Sequence, residues 1–255
     1  MIDSPGKTTM ASFLRTFLAL LALGLAVPAL AQEDKVRAAL KKALPEAPID
    51  SVRKTPYGLY EITIGTDVYY TDEKASYVLM GQLVDLNTKT NVTELRQREL
   101  MKIDFASLPL DRAIKIVRGN GSRKIAMFAD QNCGYCKRFE RDLLGVSDIT
   151  VYVFLYPILS PDSIDKSKKV WCAADPGKAW IDWMVRDMPL PQEGAKCDAA
   201  VLEKNVQFGH EKKITGTPTM FFVDGDRIPG AIAIADFEKK LAAAQAAKPA
   251  KTASR

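Results

Sequence analysis

The sequence predicts a protein of mixed helix and strand in two unequal parts, a small α+β unit followed by a larger α/β unit. Two observations lead to this prediction. Between residues 51 and 92, apolar and polar residues alternate with the two-residue period of β-strands. After Arg112, short apolar runs typical of buried strands alternate with longer helical patterns, which is the order of an α/β layer structure.

The composition is that of a globular chain with a packed core. Of 255 residues, 47% are hydrophobic and 26% are charged, as in ordinary globular domains. The 36 Lys and Arg residues exceed the 31 Asp and Glu residues by only five, without dense basic stretches, which argues against nucleic acid as a partner. With four cysteines and one histidine, the functional prediction depends mainly on the cysteines.

Residues 1–31 have the pattern of a secretory signal peptide. An apolar run of eleven residues, Phe17 to Val27, follows Lys7 and Arg15 and precedes Ala29-Leu30-Ala31, where cleavage is predicted. A buried or membrane helix is the alternative, but such a run is too short for a bilayer of about 30 Å. The signal predicts export to the periplasm, an oxidising compartment in which disulfides persist.

Residues 32–92 are predicted to form the small unit. A helix with apolar residues from Val36 to Leu44 ends before Pro45, and a meander of about four strands follows. A unit of this size has a marginal core, for which oligomerisation is a common remedy. We therefore predict a homodimer formed through this unit.

Residues 93–111 are predicted to form a linker helix. Thr93 is suited to cap the first turn, and Glu94 lies at the positive end of the helix dipole. Polar helices of this kind often bridge domains. The alternative is a helix that packs along the surface of one domain.

Residues 112–247 are predicted to form the α/β unit, and residues 248–255 a disordered tail. The predicted strands are Ile114–Val117, Lys124–Ala129, Thr150–Leu155 and Met220–Val223, and helical stretches begin near Cys133, Pro161 and Asp236.

The chemistry is predicted at Cys133-Gly134-Tyr135-Cys136. A helix that begins here places the sulfur of Cys133 near unpaired backbone amides and the positive end of the helix dipole, and both favour a thiolate. Cys136, one turn further along on the apolar side, is expected to be shielded and less acidic. Cys133 is therefore the predicted attacking thiol, and Cys136 the predicted resolving thiol.

A structural disulfide and half of a zinc site are the alternatives for this motif. A zinc ribbon needs a second close pair, but Cys172 and Cys197 are separated by 24 residues, and only His210 is available as a further ligand. We therefore predict a redox site without a metal. His210 lies in a charged segment and is expected to be solvated.

Asp130 and Thr217-Pro218 are further candidate residues. Asp130 lies three residues before Cys133 and is interpreted as a helix-capping or turn residue, with a proton acceptor as the alternative. Thr217-Pro218 directly precedes an apolar strand, where proline suits only the first or an edge position. X-Pro bonds are cis only about one time in twenty, so this position alone predicts trans, and the cysteine motif raises the odds of cis.

These residues together resemble the DsbC family of periplasmic disulfide isomerases. The resemblance rests on Phe128-Ala129-Asp130 leading to the cysteine motif with its Gly134-Tyr135 dipeptide, on the helical insertion and on Thr217-Pro218. It extends over essentially the whole chain after the signal. It implies a thioredoxin-like catalytic domain with a helical insertion, preceded by a small α+β dimerisation domain and a linker helix.

The resemblance also implies roles for individual residues. The cis-proline loop and the dipeptide between the cysteines would contact substrate, which assigns substrate binding to Thr217, Pro218, Gly134 and Tyr135. Cys172 and Cys197 resemble the additional structural disulfide of the family, and export favours that bond over two free thiols. One departure is Lys137, where the family often carries histidine, and this leaves the redox potential open.

The implied substrates are misfolded, disulfide-containing periplasmic proteins, and the implied partner is a membrane reductase of the DsbD type that keeps the motif reduced. No cofactor is required. Two other functions stay open on the sequence: a chaperone-type binder of misfolded proteins, and a thiol oxidoreductase of the DsbG or DsbA type with a different redox direction.

Overall fold

The computed structural model describes residues 27–192 and 197–247. The predicted tail and most of the predicted signal peptide lie outside these residues. The chain divides into two compact units, with the boundary between Leu100 and Met101. Among the described residues, no helix combines the length and the apolar character that crossing a membrane requires.

The first unit combines helix α1 with an antiparallel meander and a short hairpin. The meander has the strand order β1-β2-β3-β4, and the hairpin pairs β5 with β6. The elements are α1 (Val27–Ala43), β1 (Ser51–Lys54), β2 (Tyr60–Ile64), β3 (Asp67–Thr71), β4 (Val78–Leu79), β5 (Val84–Asp85), β6 (Thr90–Asn91) and α2 (Val92–Leu100). The core residues are Val36, Leu40, Val52, Tyr60 and Ile62.

Strand β2 departs from the alternation that its sequence predicts. Glu61 is buried as fully as its apolar neighbours, because Arg53 of β1 and Arg96 of α2 pair with its two carboxylate oxygens at 3.0 and 2.8 Å. A buried carboxylate needs such partners. Both faces of this strand are therefore covered.

The predicted helix over residues 93–111 is shorter in the structure. Helix α2 ends at Leu100, and the following stretch contains 3-10 turns at Phe105–Ser107 and Leu110–Arg112. Phe105 belongs to a hydrophobic cluster of the second unit, which explains why the chain leaves the helical path. Thr93 also differs from its predicted role, because Asn91 accepts the N–H of Glu94, while the buried Thr93 hydroxyl bonds Tyr70.

The second unit is a five-stranded sheet with helices around it. The strand order is β11-β10-β8-β9-β7; β8 and β9 are parallel, and the other pairs are antiparallel. The strands are β7 (Ile114–Arg118), β8 (Arg123–Ala129), β9 (Ile149–Leu155), β10 (Thr219–Phe222) and β11 (Arg227–Pro229). The helices are α3 (Gly134–Asp142), α4 (Pro161–Trp171), α5 (Pro176–Arg186), α6 (Ala200–Glu211) and α7 (Ile234–Ala246).

The strands and helices predicted for this unit are present, and the order of the elements positions the cysteine motif. Strand β8 is in the middle of the sheet and is buried from Ile125 to Ala129. It ends directly before the turn that leads to α3. Cys136 and Phe139 of α3, and Leu143 directly after it, are fully buried against the sheet core. Strand β11, which the sequence analysis missed, is a three-residue edge strand paired with β10.

Candidate active site

The first turn of α3 holds both cysteines. Cys133 is the N-cap residue, with extended backbone angles, and its Sγ accepts the N–H of Cys136 at 3.1 Å. A sulfur in this position satisfies one of the amides that a helix leaves unpaired at its start. Cys133 and Cys136 are free thiols, and both are buried, with Cys133 4% exposed and Cys136 fully enclosed.

The pKa values of the two thiols are shifted in opposite directions. The pKa of Cys133 is lowered to about 6, chiefly because the Cys136 side chain hydrogen-bonds its sulfur, and also because Thr217 and the backbone amides of Cys136 and Tyr135 do so. Burial is the main cause that raises the pKa of Cys136 above its ordinary value, and the neighbouring Cys133 raises it further. At neutral pH, this arrangement provides one thiolate and one protonated thiol.

Thr217 and Pro218 lie at the cysteines, 84 residues away in sequence. The Thr217–Pro218 peptide bond is cis. When protonated, the Cys133 thiol donates to the carbonyl oxygen of Thr217 at 3.3 Å. The hydrogen bond from Thr217 that lowers the pKa of Cys133 is one from its side chain. The Pro218 carbonyl accepts the N–H of Gly230 at 2.7 Å. The structure therefore brings together the two segments that the sequence analysis assigned to one site.

The surface beside Cys133 is formed by the residues between the two cysteines. Tyr135 is 68% exposed, and no heavy atom lies within 4 Å of the position a Cβ would occupy on Gly134. Lys137, which follows the motif, lies with its Nζ 3.2 Å from Asp187 and 4.5 Å from the centre of the Trp183 ring. An exposed tyrosine and an ion-paired lysine thus lie on the first turn of α3, beside the thiol.

Asp130 has the turn role that its interpretation from sequence included, and it is not the residue that caps α3. Cys133 itself caps α3, and both Asp130 carboxylate oxygens accept hydrogen bonds from backbone and hydroxyl donors. One of these bonds, from the N–H of Asn132 at 2.8 Å, is that of a turn residue. Asn132 and the residues of α4 that contact it were not predicted, because they meet the motif only through contacts between positions far apart in the sequence.

Cys172 and Cys197 form a disulfide whose Cα atoms are 5.6 Å apart. It closes a loop that includes helix α5. His210 is exposed at the end of α6. Across the residues that the structure describes, no three His, Cys, Asp or Glu side chains cluster as metal ligands would.

Comparison with known proteins matches both parts of the chain to described families. Residues 110–245 match the family described as Thioredoxin-like domain, and residues 27–94 match Disulfide bond isomerase protein N-terminal domain. These two matches correspond to the two halves of the architecture described above.

Relatives and a solved structure agree with these matches. The probable thiol:disulfide interchange protein DsbC of Bordetella parapertussis is 47% identical over 210 residues, covering 82% of this chain and 74% of the relative. The thiol:disulfide interchange protein DsbC of Escherichia coli K12 is 24% identical over 178 residues, covering 68% of this chain and 72% of the relative. A disulfide interchange protein from Neisseria gonorrhoeae, solved by crystallography, is 38% identical with a TM-score of 0.51 and covers 54% of this chain and 99% of that chain.

Thiol–disulfide exchange requires a thiolate that can attack a disulfide, and a thioredoxin-like sheet that holds an acidic thiol beside a buried thiol provides one. With the close relatives and both domain matches, it follows that this chain belongs to the DsbC family of thiol:disulfide interchange proteins and is a thiol:disulfide isomerase.

Proposed function

We propose that Cys133 is the nucleophile of the exchange reaction and Cys136 the resolving thiol. The observation that carries this assignment is the lowered pKa of Cys133, about 6, beside a Cys136 whose pKa is raised. The thiolate attacks one sulfur of a substrate disulfide, the substrate S–S bond breaks, and the second substrate sulfur leaves as a thiolate. Cys133 is then joined to substrate in a mixed disulfide.

The mixed disulfide has two outcomes. In isomerisation, another substrate thiolate attacks the substrate sulfur, releases Cys133 as thiolate and leaves the substrate with a rearranged disulfide and no net redox change. In reduction, Cys136 attacks the sulfur of Cys133 and breaks the mixed disulfide. The substrate leaves with two thiols, reduced by two electrons, and the enzyme is oxidised to a Cys133–Cys136 disulfide.

Substrate binding is proposed at Thr217, Pro218, Gly134 and Tyr135. Tyr135 is exposed, and Thr217 lies against the thiol of Cys133. An extended substrate segment in this position pairs with main-chain groups as a strand does. The proposed substrates are misfolded periplasmic proteins with incorrect disulfides.

The decisive test follows the fate of a scrambled disulfide substrate. C133A is expected to abolish both shuffling and reduction, because no thiolate remains to attack. C136A is expected to retain the attack and to accumulate a covalent complex with substrate, seen on non-reducing gels and located at Cys133 by mass spectrometry. Shuffling by C133A at the wild-type rate would overturn the assignment. Retained aggregation suppression and in vivo complementation by C133A would favour a chaperone.

Homodimer formation is proposed for the first unit. The match to the Disulfide bond isomerase protein N-terminal domain supports it, as does a strip of exposed apolar residues from Tyr77 to Met80, of which Met80 is 79% exposed. V78D and M80D are expected to yield monomers in sedimentation analysis that reduce insulin but lose isomerisation. L86D, at another exposed apolar position, is the matched control and is expected to remain dimeric.

Location and partner complete the proposal. Residues 1–31 are proposed to direct export to the periplasm and to be cleaved after Ala31, which N-terminal sequencing of the mature protein tests. Continued isomerisation requires a reduced Cys133–Cys136 pair, so a membrane reductase of the DsbD type is the proposed partner. Acid quenching and alkylation of cells should find this pair reduced and Cys172–Cys197 bonded. An oxidised pair would favour an oxidase.

A further inference from the structure

Asp130 is a fully buried carboxylate with four hydrogen-bond donors. Oδ2 accepts the N–H groups of Ile158 and Leu159 at 2.9 and 3.0 Å. Oδ1 accepts the N–H of Asn132 and the hydroxyl of Ser163, both at 2.8 Å. This number of donors matches the number of lone pairs of an ionised carboxylate. Its position is therefore fixed from the turn itself, from the loop after β9 and from the first turn of α4.

The main chain of Asp130 contacts both cysteines. Its carbonyl oxygen accepts the N–H of Cys133 at 3.1 Å. The main chain of Asp130 also acts on Cys136, whose pKa it lowers against the larger effect of burial. A displacement of Asp130 would consequently move the Cys133 sulfur relative to the helix amides whose hydrogen bonds this sulfur accepts.

Helix α4 and its N-cap residue also hold Asn132, two residues after Asp130. The side-chain amide of Asn132 donates to Ser160 and Ser163 at 3.0 Å and to Asp162 at 2.9 Å, and its oxygen accepts Lys166 at 2.6 Å. The turn before the cysteines is thus attached to the helical insertion by side chains some thirty positions later in the sequence.

We propose that Asp130 is a positioning residue that fixes Cys133 and Cys136 against the first turn of α3, and that helix α4 contributes to the reaction by holding Asp130 through Ser163. This inference rests on the proposed role of Cys133. The Asp130 carboxylate bonds none of the sulfur atoms, so it acts through the main chain and not by taking a proton.

The sign of one measurement separates positioning from a charge effect. If the negative charge of Asp130 acted on Cys133 directly, D130N would remove a repulsion and lower the pKa of Cys133. If Asp130 positions the turn, D130N places an amide NH2 group against the N–H donors of Ile158 and Leu159. Two donors cannot bond each other, so the turn becomes less firmly held. The hydrogen bonds to the sulfur then weaken, and the pKa of Cys133 rises.

The test compares wild type, D130N, S163A and D187N as reduced full-length proteins. The pH dependence of thiolate absorbance and of Cys133 alkylation gives the pKa, and the equilibrium with glutathione gives the stability of the Cys133–Cys136 disulfide. S163A removes one donor and leaves the charge of Asp130 intact. D187N removes an exposed charge beside α3 and measures the effect of charge loss alone.

Positioning predicts that the pKa of Cys133 rises by about one unit in D130N, an about tenfold loss of thiolate at acidic pH. At pH 7, the glutathione equilibrium should shift about fivefold toward the Cys133–Cys136 disulfide, because less thiolate stabilises the dithiol. S163A should shift the pKa of Cys133 and the glutathione equilibrium in the same directions as D130N, by smaller factors. D187N should leave the pKa of Cys133 unchanged or lower it.

An unchanged or lowered pKa in both D130N and S163A, with only the melting temperature reduced, would overturn the inference. If D130N does not fold, S163A decides the question alone. If Cys136 proves to be the reacting thiol of the wild type, the proposed nucleophile is wrong. The inference is then still decided by the glutathione equilibrium, which does not depend on which sulfur attacks.

Discussion

The acidity of Cys133 depends more on the Cys136 side chain than on any other group. With a pKa of about 6, Cys133 is about 90% thiolate at pH 7, against about 1% for a thiol with its ordinary value near 9. Replacing Cys136 with alanine removes this hydrogen bond but keeps the backbone amides and Thr217. The pKa of Cys133 should therefore rise by about one to two units and stay below 9. C136S keeps a hydroxyl donor and should remain close to wild type.

The assay is the rate of Cys133 alkylation by a neutral reagent, measured from pH 4 to pH 10 in the wild type and in both variants. The midpoint of each rate profile is the pKa of the reacting thiol. A wild-type midpoint within about one unit of 9 would refute the argument from geometry. Equal midpoints in C136A, C136S and wild type would show that the backbone, and not the Cys136 thiol, makes Cys133 acidic.

Three further predictions concern stability. Removing the Cys172–Cys197 disulfide by double alanine substitution should lower the free energy of unfolding by about 3 kcal/mol in urea titrations and leave the Cys133 midpoint unchanged; a shifted midpoint would contradict a purely structural role. G209A should cost about 2 kcal/mol, because the new Cβ overlaps a buried tyrosine ring, whereas G145A, with no atom within 4 Å, should be nearly neutral. Because the folded pKa of Cys133 lies below its unfolded value, the reduced protein should gain stability relative to the oxidised protein as pH rises from about 6 toward 9. This gain should be lost as pH falls through about 6, and equal pH slopes for both forms would contradict it.

The local parts of the site are predictable from sequence, because they depend on neighbours along the chain. The order of strands and helices follows from periodicity, and the position of Cys133 at the start of a helix follows from the buried run that ends at Ala129. The helix terminus predicts that Cys133 is the more acidic of the two cysteines, although in the structure the Cys136 side chain contributes most to lowering the pKa of Cys133. Each of these statements uses residues fewer than ten positions apart.

The remaining features depend on contacts that periodicity does not encode. The burial of Glu61 requires Arg96, which lies 35 residues away. Helix α2 ends before the position predicted, and Phe105, a few residues later, is buried in a hydrophobic cluster of the second unit. The fixation of Asp130 requires Ser163, 33 residues later, and nothing in the local sequence distinguishes this aspartate from an ordinary capping residue.

The structure also bears on Lys137, the residue that directly follows the second cysteine. The Nζ of Lys137 is 3.2 Å from Asp187 and lies over the Trp183 ring, so its charge is paired on the flank of the active-site helix. The groups that lower the pKa of Cys133 are Cys136, Tyr135 and Thr217. The acidity of the nucleophile therefore rests on hydrogen bonds within the first turn of α3 and from Thr217, and Lys137 is not among the groups that lower its pKa.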